Sequence, residues 1–273
     1  MRRLILCILA ACVLPFALLS KGTPLPGSGG KATLEAFLPE GADSGTAVIV
    51  CPGGSYFWLD DRTEGVDVAQ WLARNGIFAY LLRYRVSGWF AFVHHFPYQT
   101  FPGSLRDLQS AIRKVRALHP GLLRLGLMGF SAGGHLVMSA AEFYGEESDL
   151  RPDFVAPVYP VVTFADERYV HKRSRRALLG DKGARDRTRC DALSLERHVR
   201  ADGPPVFLLN CEDDPVVDWH NSALLDSALS ASRIPHLYTR YRTGGHGFGA
   251  AAAKQNAQTR GWQNLFMDWL NTL

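Results

Sequence analysis

Apolar and polar positions along this chain switch between two periods. Short continuous apolar runs alternate with stretches whose apolar residues recur every three or four positions. TAVIVCP (46–52) is a β-branched run of strand length that ends in a Pro-Gly-Gly turn, so it predicts a buried strand. In EGVDVAQWLARNG (64–76), Val66, Ala69, Leu72 and Ala73 share one face and Gly76 supplies a stop, which predicts a helix. IFAYLLRYRV (77–86) is a second strand. GSLRDLQSAIRKVRALHP (103–120) places Leu105, Leu108, Ile112, Val115 and Leu118 on one helical face and stops before Pro120.

The alternation continues. LLRLGLMGF (122–130) predicts a third strand and GGHLVMSAAEFYG (133–145) a helix. DFVAPVYPVV (153–162) and PPVFLLNC (204–211) are a fourth and a fifth strand, and DWHNSALLDSALSAS (218–232) is the next helix. PHLYTRYRT (235–243) is a sixth strand, and residues 251–273 form a closing helix. Strands interleaved with helices imply an α/β fold: a mostly parallel central sheet with helices on both faces. Residues 163–203 break the pattern and read as a short insertion, or lid, over the sheet edge, with one or two short helices. No internal repeat is present.

The first 31 residues stand apart. Met1-Arg2-Arg3 precedes the apolar run LILCILAACVLPFALL, and small polar residues follow. This is the layout of a secretory signal over 1–22, cut after Gly22, which implies export to the periplasm or the exterior; a permanent membrane anchor is the alternative, for which the run is somewhat short. Residues 23–31 are rich in Pro, Gly and Ser and read as a linker, leaving 32–273 as one domain. No later segment is long and apolar enough to span a bilayer, so no membrane partner is expected once the signal is removed.

Composition adds little beyond this: 47% hydrophobic and 21% charged residues are ordinary for a globular chain. Loss of residues 1–22, with Arg2, Arg3, Lys21 and no acid, lowers the formal charge from +4 to +1. A near-neutral chain argues against a nucleic-acid partner. The basic residues concentrate between Asp166 and Arg200, with eleven Lys or Arg against six Asp or Glu. That segment is either a salt-bridged surface or a basic lid beside an anionic substrate. Cys51, Cys190 and Cys211 follow the signal; one disulfide among them or three buried thiols are both compatible with their spacing.

The chemistry lies at the corner between the third strand and its helix. Gly129-Phe130-Ser131-Ala132-Gly133 fits G-x-S-x-G, in which a serine is lifted above the sheet on a strained strand-to-helix turn. A serine nucleophile needs a base, and the base needs an orienting carboxylate. The chain order for this fold is Ser, Asp or Glu, then His. Asp214 lies just past the fifth strand, with Asp213 as its rival, and Asp218 is placed to cap the next helix. His246 sits between glycines after the sixth strand. Oxyanion donors are expected from the amides of Ala132 and of Gly53 and Gly54 in CPGGSYFW. Tyr56 and Trp58 follow directly and read as a substrate-binding wall, although core packing is the commoner fate of aromatics. His135 reads as a packing residue. His94, His95, His198, His220 and His236 show no metal-ligand spacing.

These motifs resemble the α/β-hydrolase superfamily, and in particular exported bacterial esterases of the acetylxylan-esterase-like and hormone-sensitive-lipase-like type. The matching pieces are VIVCPGGSYFW, LRDLQSAIRKVR, LMGFSAGGHL, HKRSRRALLG, NCEDDPVV and YRTGGHGFG. Members commonly carry a third glycine where this chain has Ser55, which changes the side chain but keeps the backbone amide. The resemblance implies carboxyl-ester hydrolysis, often of acetyl groups on plant polysaccharide, with no metal or organic cofactor. The partner it implies is an acylated carbohydrate or other small ester. A serine peptidase of the same fold and a non-catalytic carbohydrate-binding protein remain as alternatives.

Overall fold

The computed structural model of the chain describes residues 22–94 and 98–273. The expected signal and His95 therefore lie outside the described residues. Eight strands form one sheet: β1 (Thr23–Pro24), β2 (Thr33–Phe37), β3 (Thr46–Cys51), β4 (Phe78–Arg83), β5 (Arg124–Phe130), β6 (Phe154–Val158), β7 (Val206–Cys211) and β8 (His236–Tyr241). Their order is β1-β2-β4-β3-β5-β6-β7-β8. The six strands read from the sequence all form and run parallel. β1 and β2 extend the sheet antiparallel beyond β4, and the apolar pattern does not predict them. Residues 23–31, read as a linker, instead belong to the folded unit. Thr23 and Pro24 pair with Leu34 and Thr33, and Leu25 and Ser28 are buried.

Alternation along the strands splits the core into two layers. Ala47 and Ile49 of β3 face one layer with Leu108, Ile112 and Val115 of α3 (Gly103–Leu118) and Leu136 and Val137 of α4 (Ala132–Glu142). Val48 and Val50 face the other layer, with Val68 and Leu72 of α1 (Asp67–Arg74) and Trp262 and Phe266 of α8 (Trp262–Leu270). A strand buried on both faces must be apolar at every position, which is why TAVIVC reads as continuous rather than alternating. α1 is preceded by a wide π turn over Asp61–Val66. The closing helix is shorter than expected, because residues 252–261 form two isolated 3₁₀ turns with polar side chains bonded to nearby backbone. A further short helix, α2 (Gly88–His94), follows β4.

The insertion between β6 and β7 holds two helices, α5 (Lys172–Gly183) and α6 (Arg187–Ala192), and α5 bends at Gly180, where φ is 72°. It docks on α2 and on the segment after it. The Thr100 and Phe101 amides donate to the Ala177 and Leu178 carbonyls, and Arg176 Nη2 donates to the Ala91 carbonyl at 2.7 Å. α7 (His220–Ala231) completes the layer behind β7. The chain leaves β3 for β4 on one side and returns past it to β5 on the other. That reversal parts the loops at the carboxyl ends of β3 and β5, where open α/β sheets bind ligands.

Candidate active site

β5 ends at Phe130 and α4 begins at Ala132, so Ser131 alone makes the corner. Its backbone sits at φ 53°, ψ −117°, a region that costs residues with side chains about 1–3 kcal/mol. The corner persists because β6 holds it. The Ser131 amide donates to the Val158 carbonyl at 3.0 Å, and the Ser131 carbonyl accepts from Val161 at 3.1 Å. The flanking glycines allow backbone to touch backbone. A Cβ on Gly133 would lie 2.0 Å from the Cys51 carbonyl oxygen, and one on Gly129 would lie 2.1 Å from that of Gly133.

The loops after β7 and β8 bring the acid and the base to this corner. His246 Nε2 lies 2.9 Å from Ser131 Oγ, and His246 Nδ1 lies 2.6 Å from Asp214 Oδ2. An ionised carboxylate only accepts, so Nδ1 carries the proton and Nε2 is left to accept from the serine hydroxyl. The Asp214 side chain is 1% exposed, and its Oδ1 accepts from the Val216 and Val217 amides at 2.8 and 3.0 Å. Asp213 points the other way. Its Oδ1 accepts from the Gly244 and Gly245 amides at 2.9 and 2.8 Å and so holds the histidine loop. Asp218 Oδ1 accepts from the His220 amide at 2.9 Å and supports the first turn of α7.

Two of the residues expected around this corner sit elsewhere or are otherwise engaged. The Gly53 amide donates to Glu64 Oε2 at 2.7 Å, so it is not a free oxyanion donor. Tyr56 is wholly buried and is no wall of the site; its hydroxyl is 2.9 Å from His135 Nδ1. His135 Nε2 in turn lies 3.0 Å from the Leu193 carbonyl, which fixes the proton on Nε2 and makes Tyr56 the donor to Nδ1. Burial pushes the His135 pKa down to about 4. Gly54, Ser55 and Trp58 do line the cavity above Ser131, together with Asp60, Glu64, Arg173, Val216, His246 and Gly247. Ala132 opens α4, so its amide has no acceptor within the helix and points with the helix N-terminus toward the corner. Neither the Gly54 amide nor the Ala132 amide donates to another group among the described residues, so both of these expected donors are free.

Three contributors are not legible in the sequence. Glu64 is buried and bridges two loops: Oε2 accepts from Gly53, and Oε1 accepts from the Tyr159 hydroxyl at 2.9 Å. Burial raises its pKa, and the nearby His246 opposes that rise. Tyr159 packs against the His246 ring, with centroids 4.7 Å apart and planes tilted by 53°, and its oxygen accepts from the Gly249 amide at 3.0 Å. His171, in the insertion, has its pKa pushed down to about 4 by burial and by Arg173, so it is neutral near pH 7. Among the described residues, no three His, Cys, Asp or Glu side chains converge as metal ligands would. Cys51, Cys190 and Cys211 are free and buried.

The BD-FAE family model matches residues 34–229, well over half of the chain, a span that includes Ser131 and Asp214 and ends before His246. An acetylxylan esterase of Xylanibacter ruminicola is 33% identical over 232 residues, covering 81% of this chain and 44% of that protein. Endo-1,4-beta-xylanase B of Butyrivibrio fibrisolvens is 31% identical over 217 residues, covering 75% of this chain and 32% of that protein. The chain thus spans less than half the length of these two relatives. Among solved structures, an acetyl ester-xyloside bifunctional hydrolase from Caldicellulosiruptor lactoaceticus is similar at a TM-score of 0.76 and 30% identity, with 88% of each chain covered. A carboxylesterase from Lactobacillus plantarum shares the fold at a TM-score of 0.70 and 20% identity, covering 88% of this chain and 92% of that one. The chain belongs to the BD-FAE family and has the α/β-hydrolase fold.

Proposed function

We propose that this protein is a serine carboxylesterase that removes small acyl groups, acetyl above all, from carbohydrate. The observation that supports this most is the unbroken line Ser131 Oγ–His246 Nε2 and His246 Nδ1–Asp214 Oδ2, at 2.9 and 2.6 Å, beneath an open cavity. Ser131 attacks the ester carbonyl as His246 takes its proton, and Asp214 stabilises the imidazolium that forms. The Gly54 and Ala132 amides receive the tetrahedral oxyanion. His246 then returns its proton to the leaving alcohol. Water, deprotonated by the same histidine, releases the acid and restores Ser131.

The small acyl group is supported by the similarity to an acetylxylan esterase and to an acetyl ester-xyloside bifunctional hydrolase. The carbohydrate side is supported by the same two names, one an acetylxylan esterase and the other a hydrolase of both acetyl esters and xylosides. Export through residues 1–22 belongs to the same reading, and N-terminal sequencing of protein recovered outside the cytoplasm tests it.

The decisive experiment compares wild type with Ser131→Ala on 4-nitrophenyl acetate, butyrate and octanoate, and on acetylated xylan with acetate release measured. Wild type is expected to favour acetyl esters and to release acetate. Ser131→Ala is expected to lose about four orders of magnitude or more in kcat while remaining folded. Preference for octanoate would replace the carbohydrate reading with a lipase-like one. A folded wild type inactive on every ester would reject the esterase.

A further inference from the structure

The basic insertion contains one cation that the fold does not neutralise and that faces the cavity. Most of its arginines are paired: Arg168 with Asp166, Arg175 with Glu167, Arg176 with Asp181, Arg189 with Asp186, and Arg197 with Asp191. Among the described residues, Arg173 forms no ion pair, yet it lines the same cavity as Ser131 and His246. Its guanidinium carbon is 5.8 Å from the Trp58 ring centroid and 5.6 Å from that of Phe92. Ring contact of this kind holds the planar group in place without using its N–H donors, which remain free for a carboxylate.

The cavity's two acids do not supply that partner. Asp60 lies 3.6 Å from Lys254 Nζ and accepts from the Thr63 amide, and the Glu64 oxygens are engaged by Gly53 and Tyr159. The placement of Arg173 also works against the helix. Lys172 and Arg173 open α5, where the positive end of the dipole disfavours cations. Arg173 is thus an exposed cation at the positive end of a helix, on the lining of the cavity that holds Ser131 and His246, where an anionic group of a bound molecule can meet it.

We propose that Arg173 forms an anion subsite that binds a carboxylate of the ester substrate, the source favoured by an acylated carbohydrate being an acidic sugar next to the ester. This rests on the esterase reading, because the carboxylate must belong to a molecule whose ester reaches Ser131. A hexuronic acid and a dicarboxylic half-ester present the same carboxylate from opposite sides of the scissile bond, and the test separates them.

The measurement is the ratio of kcat/KM for an acidic ester to that for its neutral counterpart, taken within each protein. The probes are methyl acetyl-glucosiduronate against methyl acetyl-glucoside, and ethyl hydrogen succinate against ethyl butyrate. Inhibition of 4-nitrophenyl acetate hydrolysis by methyl glucosiduronate and by methyl glucoside reads the same preference without requiring a sugar ester to turn over. Wild type is expected to favour the acidic member about tenfold or more, through KM, as a charge-assisted hydrogen bond allows. Arg173→Gln is expected to abolish the ratio and Arg173→Lys to keep part of it. Lys172→Gln, which removes a charge one residue away, is expected to leave it intact. A preference confined to the succinate pair places the carboxylate on the acyl side. Equal treatment of acidic and neutral probes by wild type, or a ratio that survives Arg173→Gln, overturns the proposal. Activity on 4-nitrophenyl acetate without any on sugar esters rejects the carbohydrate reading, while the inhibition ratio still decides the subsite.

Discussion

Single side chains at this site act mostly by holding other groups in place. Glu64 and Tyr159 are the clearest case, because neither stands in the line from Ser131 to Asp214, yet both touch the loops that deliver it. Tyr159→Phe keeps the ring against His246 but removes the hydroxyl that donates to Glu64 and accepts from Gly249. It is expected to lower kcat several-fold with little change in KM, and to cost about 1–3 kcal/mol of stability for the partners left unsatisfied. Steady-state kinetics with 4-nitrophenyl acetate and urea unfolding check both parts. Unchanged kcat would show that the ring alone orients His246. Residues of this kind are hard to read in a sequence. Glu64 sits in DRTEGV, which looks like an ordinary acidic helix start, and its partners Gly53 and Tyr159 are 11 and 95 residues away. Tyr56 and Gly53 mislead for the same reason: a motif gives position along the chain but not which amide or hydroxyl is already bonded.

Elements are far more legible than these contacts. The parallel strands announce themselves, β3 to β7 because burial on both faces demands an apolar run and the edge strand β8 by its aromatic and β-branched residues. Ser131, Asp214 and His246 can be placed because each follows a parallel strand. β2 escapes because TLEAF lies at the antiparallel side of the sheet and is buried only at alternate positions, so it need not be apolar throughout. The packing of α4 on β3 makes a sharper prediction. Gly133→Ala would drive a methyl into the Cys51 carbonyl, an overpacking that backbone on both sides cannot relieve. Loss of about 3 kcal/mol or more, or failure to fold, is expected from chemical denaturation. Near-wild-type stability would mean that α4 can slide along the sheet. Asp213→Ala tests the neighbouring loop. Freeing the Gly244 and Gly245 amides is expected to lower kcat by loosening His246 while Ser131 stays in place.

At the scale of the whole molecule, His135 joins three segments: the loop after β3 through Tyr56, α4 on which it stands, and the insertion through the Leu193 carbonyl. Its folded pKa of about 4 lies below the ordinary 6.5. The unfolded chain therefore takes up a proton that the folded chain refuses, so stability is fully present above about pH 6.5 and falls as pH drops toward 4. The contribution is about 3 kcal/mol over that window. Melting temperatures from pH 7 to 4 are expected to fall less steeply in His135→Gln than in wild type; parallel slopes would assign the acid sensitivity to other groups. The division of labour between strand ends and connections has a consequence for how such a protein changes over generations. Ser131, Asp214 and His246 are held by the ends of β5, β7 and β8, whereas Trp58, Phe92 and Arg173 come from the loop after β3, from α2 and from the insertion. Mutations in those connections can alter which ester is accepted while leaving the reacting atoms where they are. Sequence change in the connections is thereby uncoupled from the strand-end geometry that holds Ser131, Asp214 and His246.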